Sequence, residues 1–391
     1  MPSRISAAPF LNAISTDESP APPPPRSTAP FGAPPSAVAT EPAVALHSPL
    51  LSSDDTLAQV ANGTLSLGVG AKGQAVERMQ RALIASGFPL PGYGPDGLFG
   101  PQTRNALEAF QQANGLEATG TLDATTLAKL DAEGGDAATR YPEYGQLFRD
   151  GVLNATLAVG YDEDGSDLSE VPQVRAGLAQ RGFQPLDVKN LDDAALEELG
   201  LDPKTIDRDG EYFTRTFDAG GKPVLACVRL IDRASPEAKQ QFQSAMSNAE
   251  LVVYSGHARY GTGPDFDPIT SPAGNYVIGD TYSPGHVVFG PNDLAKTKLP
   301  DSYQLMFFDA CRTTDYLDDL RRIPKNKNAS NLDLVLSDDL VNWGDGTQNV
   351  FTALDGVMGQ KSIDEMQASF ENINHVGFTA DGFLGNSWRP S

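Results

Sequence analysis

The chain has 391 residues, enough by length for two or three domains. Its 51 Asp and Glu against 29 Lys and Arg give a formal net charge of −22, which argues against nucleic acid as the main partner because phosphate contacts need clustered Lys and Arg. Two cysteines, Cys227 and Cys311, are too few for a disulfide framework, no CxxC pair suggests zinc, and apolar runs such as Leu251 to Val253 are too short to span a membrane.

Of the 30 prolines, 12 fall in the first 50 residues. Residues 1–60 therefore read as a disordered Pro/Ala/Ser-rich arm, with too few large apolar residues to offset the entropy of ordering. Within it, Pro22 to Arg26 reads as a spacer, with an SH3-type ligand as the alternative. The apolar run Ala7 to Ile14 is broken by Pro9 and Asn12 and makes a poor signal peptide.

Residues 61–132 read as a compact three-helix domain. Val76, Met79, Leu83 and Ile84 share one helix face, ended by Gly87 and Phe88. A turn-rich stretch leads to a second helix from Pro101, with Ala106, Leu107 and Phe110 facing inward. Asp123 is the expected N-cap of a third helix bearing Thr126, Leu127 and Leu130. The run Gly73, Val76, Met79, Gln80, Leu83, Gly87, Phe88, then Asp96-Gly97-Leu98-Phe99-Gly100, Thr103, Phe110, Gln111, Gly115, Leu116, Gly120 and Asp123 resembles the peptidoglycan-binding domain type 1. The resemblance covers about residues 64–131 and implies non-catalytic docking on peptidoglycan or a related cell-wall polymer. Its matching residues are mostly turn glycines and core positions, so they report fold rather than ligand contacts. A generic helical module for protein contacts is the alternative.

A linker at 133–150, beginning in a polar hinge at Ala132 to Arg140, leads to residues 151–391, which alternate strand and helix. Strands are expected at Leu153 to Gly160, Leu251 to Tyr254, Tyr303 to Phe308 and Leu332 to Leu336. Glu211 to Phe217 and Pro223 to Leu230 form a hairpin around Ala219-Gly220-Gly221. Helices are expected at Val171 to Gln180, Pro236 to Ala249, Val350 to Val357 and Ile363 to Phe370. The alternation predicts an α/β fold with a largely parallel sheet, whose functional residues sit just beyond the carboxyl ends of strands.

Two residues meet that criterion. His257 follows Leu251-Val252-Val253-Tyr254 and the small pair Ser255-Gly256, and Cys311 follows the Tyr303–Phe308 run and Asp309-Ala310. A thiol and an imidazole at the tips of neighbouring strands make a nucleophile and its base. Cys227, inside a strand, reads as a buried hydrophobe. The segment from residue 133 onward carries 40 acidic against 22 basic residues, a field that attracts cationic substrates.

Tyr254-Ser255-Gly256-His257 followed by Asp309-Ala310-Cys311 resembles the caspase-like (clan CD) cysteine peptidases, the metacaspases closest. The resemblance covers about residues 150–391, with specific matching confined to these two motifs and the element order. It implies a caspase-like sheet, nucleophilic attack by Cys311, proton donation to the leaving amine by His257, and an oxyanion site at the backbone N–H groups of Ala258 and Cys311. The family usually has Gly after the histidine, where this chain has Ala258. By the same resemblance Asp309 lines the S1 pocket and selects a protein or peptide substrate with Arg or Lys at P1, a carboxylate pairing with a cation; a turn cap is the alternative. Trp343 is an expected groove wall or a core residue. The most basic stretch of the acidic domain, Arg321 to Asn328, falls where such proteins carry a processing linker, making Arg321, Arg322, Lys325 and Lys327 candidate self-cleavage points, with a solvated loop as the alternative.

No cofactor or metal is expected. The turn Asp162 to Asp167 offers oxygen ligands, and some metacaspases need calcium, but the EF-hand spacing is absent; His286 and His375 lack metal-ligand spacing. Three readings result. The leading one is a cysteine endopeptidase cutting after Arg or Lys, held at the bacterial wall by its helical module. The second is a peptidoglycan hydrolase, although papain-like wall enzymes place Cys before His and zinc amidases need more histidines. The third is an inactive wall-bound adaptor. The expected location is secreted, periplasmic or at a bacterial cell surface, with export by a specialised secretion system, as of an effector.

Overall fold

The computed structural model describes residues 45–92, 94–160, 167–204, 206–258, 263–266, 287–341 and 346–383, the side chains of 167–169 excepted. The segment Pro22 to Arg26, the acidic turn at 161–166, His286 and Trp343 lie outside the described residues.

The helical module starts earlier than its sequence suggests. Two short helices, α1 (Pro49–Ser52) and α2 (Asp55–Ala61), precede the expected three, α3 (Gln74–Ala85), α4 (Pro101–Ala113) and α5 (Ala124–Leu130). The reason is local: Leu50, Leu51, Leu57 and Val60 are crowded into a dozen residues and join the core of Val76, Met79, Leu83, Leu107, Phe110 and Leu127. Asp54 caps α2 by accepting from the Leu57 N–H, as Asp123 caps α5 through Thr126. Residues 49–60 of the expected arm are thus part of the helical module. The Ser48 hydroxyl and the His47 and Ser48 N–H groups also donate to Asp131.

Two buried glutamines fix the module's turns. Gln80 accepts from the Gly97 N–H and donates to Asp96, Leu98 and Thr103. Gln111 does the same for Gly120, Thr119, Thr121 and Thr126. Gly97 sits at φ +70°, and a Cβ there would lie 3.2 Å from the Gly73 carbonyl.

The remainder is a mixed α/β unit around an eight-stranded, mostly parallel sheet. Its strands are β1 (Val152–Val159), β2 (Gln184–Leu186), β3 (Glu211–Asp218), β4 (Pro223–Asp232), β5 (Leu251–Ser255), β6 (Gln304–Asp309), β7 (Leu332–Ser337) and β8 (Phe378–Asp381), in the spatial order β2-β3-β4-β1-β5-β6-β7-β8. The pairs from β4 through β7 are parallel, while β2–β3, β3–β4 and β7–β8 are antiparallel. Among the five parallel strands, chain order reverses at β1 and β5, which opens the crevice where doubly wound sheets hold ligands. Side chains alternate between two cores. Leu251, Val253, Leu305 and Phe307 pack under helices α6 (Asp167–Gln180), α9 (Gly346–Met358) and α10 (Ile363–Asn374). Val252, Tyr254, Met306 and Phe308 pack on the other side, with α7 (Ala238–Asn248) and α8 (Leu317–Arg322).

The expected polar hinge is helical instead: Asp131–Gly135 is a π-helical turn continued by Asp136–Ala138. The module docks on the sheet unit through one buried carboxylate. Asp364 accepts from Arg81 Nη1 at 2.7 Å, Arg81 Nη2 at 3.2 Å, the Arg140 N–H at 3.0 Å and Arg140 Nη2 at 3.1 Å. These cations hold its carboxyl below the ordinary range despite complete burial. Beside it, Gln74 donates to Glu371.

Candidate active site

β5 and β6 run side by side with Ser255 opposite Asp309. His257 lies two residues beyond Ser255 and Cys311 two residues beyond Asp309, so both leave the sheet at the same height from adjacent strands. The two candidates that the sequence singled out thus leave neighbouring strands at the carboxyl edge, next to the point where strand order reverses.

The Ser255-Gly256 pair is small because backbone passes close by. The Gly160 N–H at the end of β1 donates to the Ser255 carbonyl at 2.7 Å, and a Cβ on Gly256, at φ +152°, would lie 2.8 Å from Gly160 Cα. Two tyrosines then clamp the histidine turn: the Tyr254 hydroxyl donates to the His257 carbonyl at 2.6 Å, and the Tyr316 hydroxyl to the Ala258 carbonyl at 2.6 Å. On the cysteine side, Arg312 adopts the left-handed conformation (φ 53°, ψ 43°), and its N–H donates to the Asp339 carbonyl at 3.0 Å. The Ser337 hydroxyl donates to the Ala310 carbonyl, and the Thr313 hydroxyl to Phe308 at 2.9 Å. A strained non-glycine residue directly after a candidate nucleophile fits a functional turn, since such strain persists only where neighbours over-determine it.

The two thiols differ. Cys311 is half-buried, whereas Cys227 is buried in β4, where desolvation pushes its thiol up to about 12. Of the two thiols, Cys311 is the accessible one.

Asp309 is 3% exposed, and its Oδ2 accepts from the Ser255 hydroxyl at 3.1 Å and Asn349 Nδ2 at 2.8 Å. Asn349 in turn exchanges amide hydrogen bonds with Asn374. Sequence reasoning missed this pair, because an asparagine inside an amphipathic helix carries no signal until the helix is packed. The basic stretch is largely built in. Arg321 pairs with Asp381 and donates to the Leu332 carbonyl. Lys327 is 5% exposed, donates to the Ser302 and Asn331 carbonyls, and is pushed down to about 7 by burial. Arg322 and Lys325 are exposed, the first paired with Asp319 and the second donating to the Arg322 carbonyl. His375 ends α10 in the left-handed conformation and is exposed. Among the described residues no cluster of three or more His, Cys, Asp or Glu is arranged to hold a metal, and no helix is long and apolar enough to cross a membrane.

The peptidoglycan binding domain family matches residues 72–130. Two N-acetylmuramoyl-L-alanine amidases of Bacillus licheniformis are similar to this chain: one is 38% identical over 69 residues, covering 18% of this chain and 20% of the relative, and the other, CwlL, is 39% identical over 74 residues, covering 19% and 20%. The chain therefore spans about a fifth of the length of these relatives. A solved peptidoglycan-binding protein from Clostridioides difficile, in complex with glutamine hydroxamate, is 31% identical over 20% of this chain and 44% of its own, with a TM-score of 0.17. Residues 72–130 are a peptidoglycan-binding domain, carried on a chain whose larger part is an α/β unit.

Proposed function

We propose that the protein is a cell-wall-associated hydrolase that cleaves amide bonds with Cys311 as nucleophile and His257 as general acid and base. The paired register of β5 and β6, which sets both residues two positions past Ser255 and Asp309, carries the reading. In the reaction the Cys311 thiolate attacks the carbonyl carbon, and the backbone N–H groups of Ala258 and Cys311 receive the oxyanion. The His257 imidazolium protonates the leaving nitrogen as the C–N bond breaks. Water, deprotonated by His257, then releases the acid from the thioester.

The peptidoglycan-binding domain and the wall amidases similar to part of the chain favour the peptide moiety of peptidoglycan as substrate, at a cell-wall or extracellular location. A second reading, a metacaspase-like endopeptidase cutting after Arg or Lys, draws on Asp309 two residues before the nucleophile, with the exposed Arg322 and Lys325 as self-processing points. The test compares wild type with Cys311→Ala on purified peptidoglycan and on peptides ending in Arg, Lys or Asp, with and without calcium. Wall fragments with new termini, absent with the mutant, support the first reading; cleavage confined to Arg and Lys peptides supports the second. No cleavage of peptidoglycan or of any peptide overturns both and leaves a wall-bound adaptor.

A further inference from the structure

A groove of about 520 Å³ separates the helical module from the sheet unit and is lined from both: Lys72, Asp96 and Leu98 on one side, Arg140, Asp338 and Thr379 on the other. We propose that this groove is a composite binding site for a muropeptide, an N-acetylated sugar with its peptide stem, and that it leads the stem to Cys311; the delivery to Cys311 rests on the hydrolase reading above.

The groove is a fixed feature. Its walls are joined by the partly buried bonds from Arg81 to Asp364 and by Gln74 donating to Glu371. Its sheet-side wall includes Asp338, whose two chain neighbours are bonded to the nucleophile turn. Asp338 directly follows β7, whose last residue, Ser337, donates to the carbonyl of Ala310. The next residue, Asp339, accepts the N–H of Arg312, the neighbour of Cys311. A ligand resting on Asp338 is thus one residue of backbone away from the turn that presents the thiol.

The lining also selects a chemistry. Lys72 is an exposed ammonium. Asp96 is oriented by Gln80 Nε2 and the Leu98 N–H on its Oδ1, and Asp338 by the Thr379 hydroxyl at 2.7 Å. Leu98 is 56% exposed between them and, with Pro95, gives the groove an apolar face. Carboxylates facing the groove disfavour a polyanion, and charged groups on both walls disfavour a lipid chain. Charges of both signs around one apolar surface suit a stem peptide with a free amine and carboxylates, joined to a sugar whose ring faces are apolar. The size is that of a small-ligand site.

The experiment uses the full chain carrying Cys311→Ala, so that nothing turns over, and a disaccharide-tetrapeptide muropeptide titrated by calorimetry. Lys72→Glu on the module and Asp338→Lys on the sheet unit should each weaken binding about tenfold or more, since each reverses a charge that orients the ligand. With Cys311 restored, saturating muropeptide should slow alkylation of the thiol by iodoacetamide. Equal melting temperatures check folding; if Asp338→Lys fails that check, Asp338→Asn, which keeps an oxygen for Thr379, takes its place. Loss of affinity in the module variant alone overturns the composite site, as does absence of muropeptide binding in the parent. Binding that leaves alkylation unchanged overturns the path to Cys311. Because affinity is read without turnover, a wild type that binds through both walls yet cleaves no wall refutes the hydrolase reading and leaves the groove standing.

Discussion

Asp364→Ala should loosen the module from the sheet unit. Asp364 is 0% exposed, and its two oxygens take four hydrogen bonds from Arg81 and Arg140, while Arg78, 1% exposed, donates to its carbonyl at 3.3 Å. Alanine leaves the buried Arg78 and the partly buried Arg81 and Arg140 guanidinium groups facing each other without their anion. Breaking a buried ion pair from one side typically costs about 3–5 kcal/mol, most of it the uncompensated charge that remains. Urea unfolding followed by far-ultraviolet circular dichroism should show an early transition in the variant, and protease should cut between residues 131 and 140, now protected by helix and by the Arg140 contacts. Arg81→Ala combined with Asp364→Ala should cost less than the sum of the two single changes, because the double variant removes both the charge and its partner. A loss below about 1 kcal/mol for Asp364→Ala, or strict additivity in the cycle, would refute the argument that this carboxylate fastens the interface.

Asp309→Asn should lower kcat/KM by a similar factor for substrates with Arg, Lys or neutral residues before the scissile bond, because the carboxylate is turned toward Ser255 and Asn349 inside the fold; a loss confined to Arg and Lys substrates would show that it contacts the substrate instead. Gly256→Ala sets a Cβ 2.8 Å from Gly160 Cα and should destabilise by about 1–3 kcal/mol while displacing His257, read as a lower unfolding midpoint together with slower Cys311-dependent hydrolysis. Stability should fall as pH rises from about 4.5 toward 7. Burial raises Glu371 and Glu250 from 4.5 to about 7 and Asp333 from 3.8 to about 6, so the folded state holds protons there that the unfolded chain has released. Urea midpoints at pH 5 and pH 7.5 check the sign, and Glu371→Gln should flatten part of the slope. Asp364 acts oppositely, its contribution vanishing only as pH falls below the ordinary carboxylate value.

Much of this site was legible because its strands are dense in apolar residues. Leu251–Ser255 and Gln304–Asp309 stand out from polar surroundings, so the residues leaving them, His257 and Cys311, were identifiable before any fold was known. The edge strands were not: Gln184–Leu186 contains a proline and Phe378–Asp381 is four residues long, both too short for periodicity to register. The helices at Pro49–Ser52 and Asp55–Ala61 were hidden by averaging over the proline-rich segment before them. Asp364 is the sharpest case. It sits inside a capping box, Ser362 to Glu365, where an acid is expected to favour the helix N-terminus. That arginines 224 and 283 residues earlier converge on it is a property of packing alone. Lys327 is similar: a basic loop residue by sequence, yet tied to two backbone carbonyls in the fold.

The manner of docking bears on what the wall-binding module is for. A module on a flexible linker raises the local concentration of its polymer but leaves orientation free, and its benefit falls with linker length. Here the connection is helical from Asp131 to Ala138, Arg140 is bonded through both backbone and side chain to Asp364, and Tyr144 is buried and donates to the Lys361 carbonyl at 2.6 Å. Polymer held by the module is therefore held at a fixed angle to the carboxyl edge of the sheet. Such rigidity costs a buried charge network and is of no use to a tether. It suits a ligand that must pass a particular point: Asp338, flanked by the two residues bonded to the Cys311 turn, lines the groove where the two units meet.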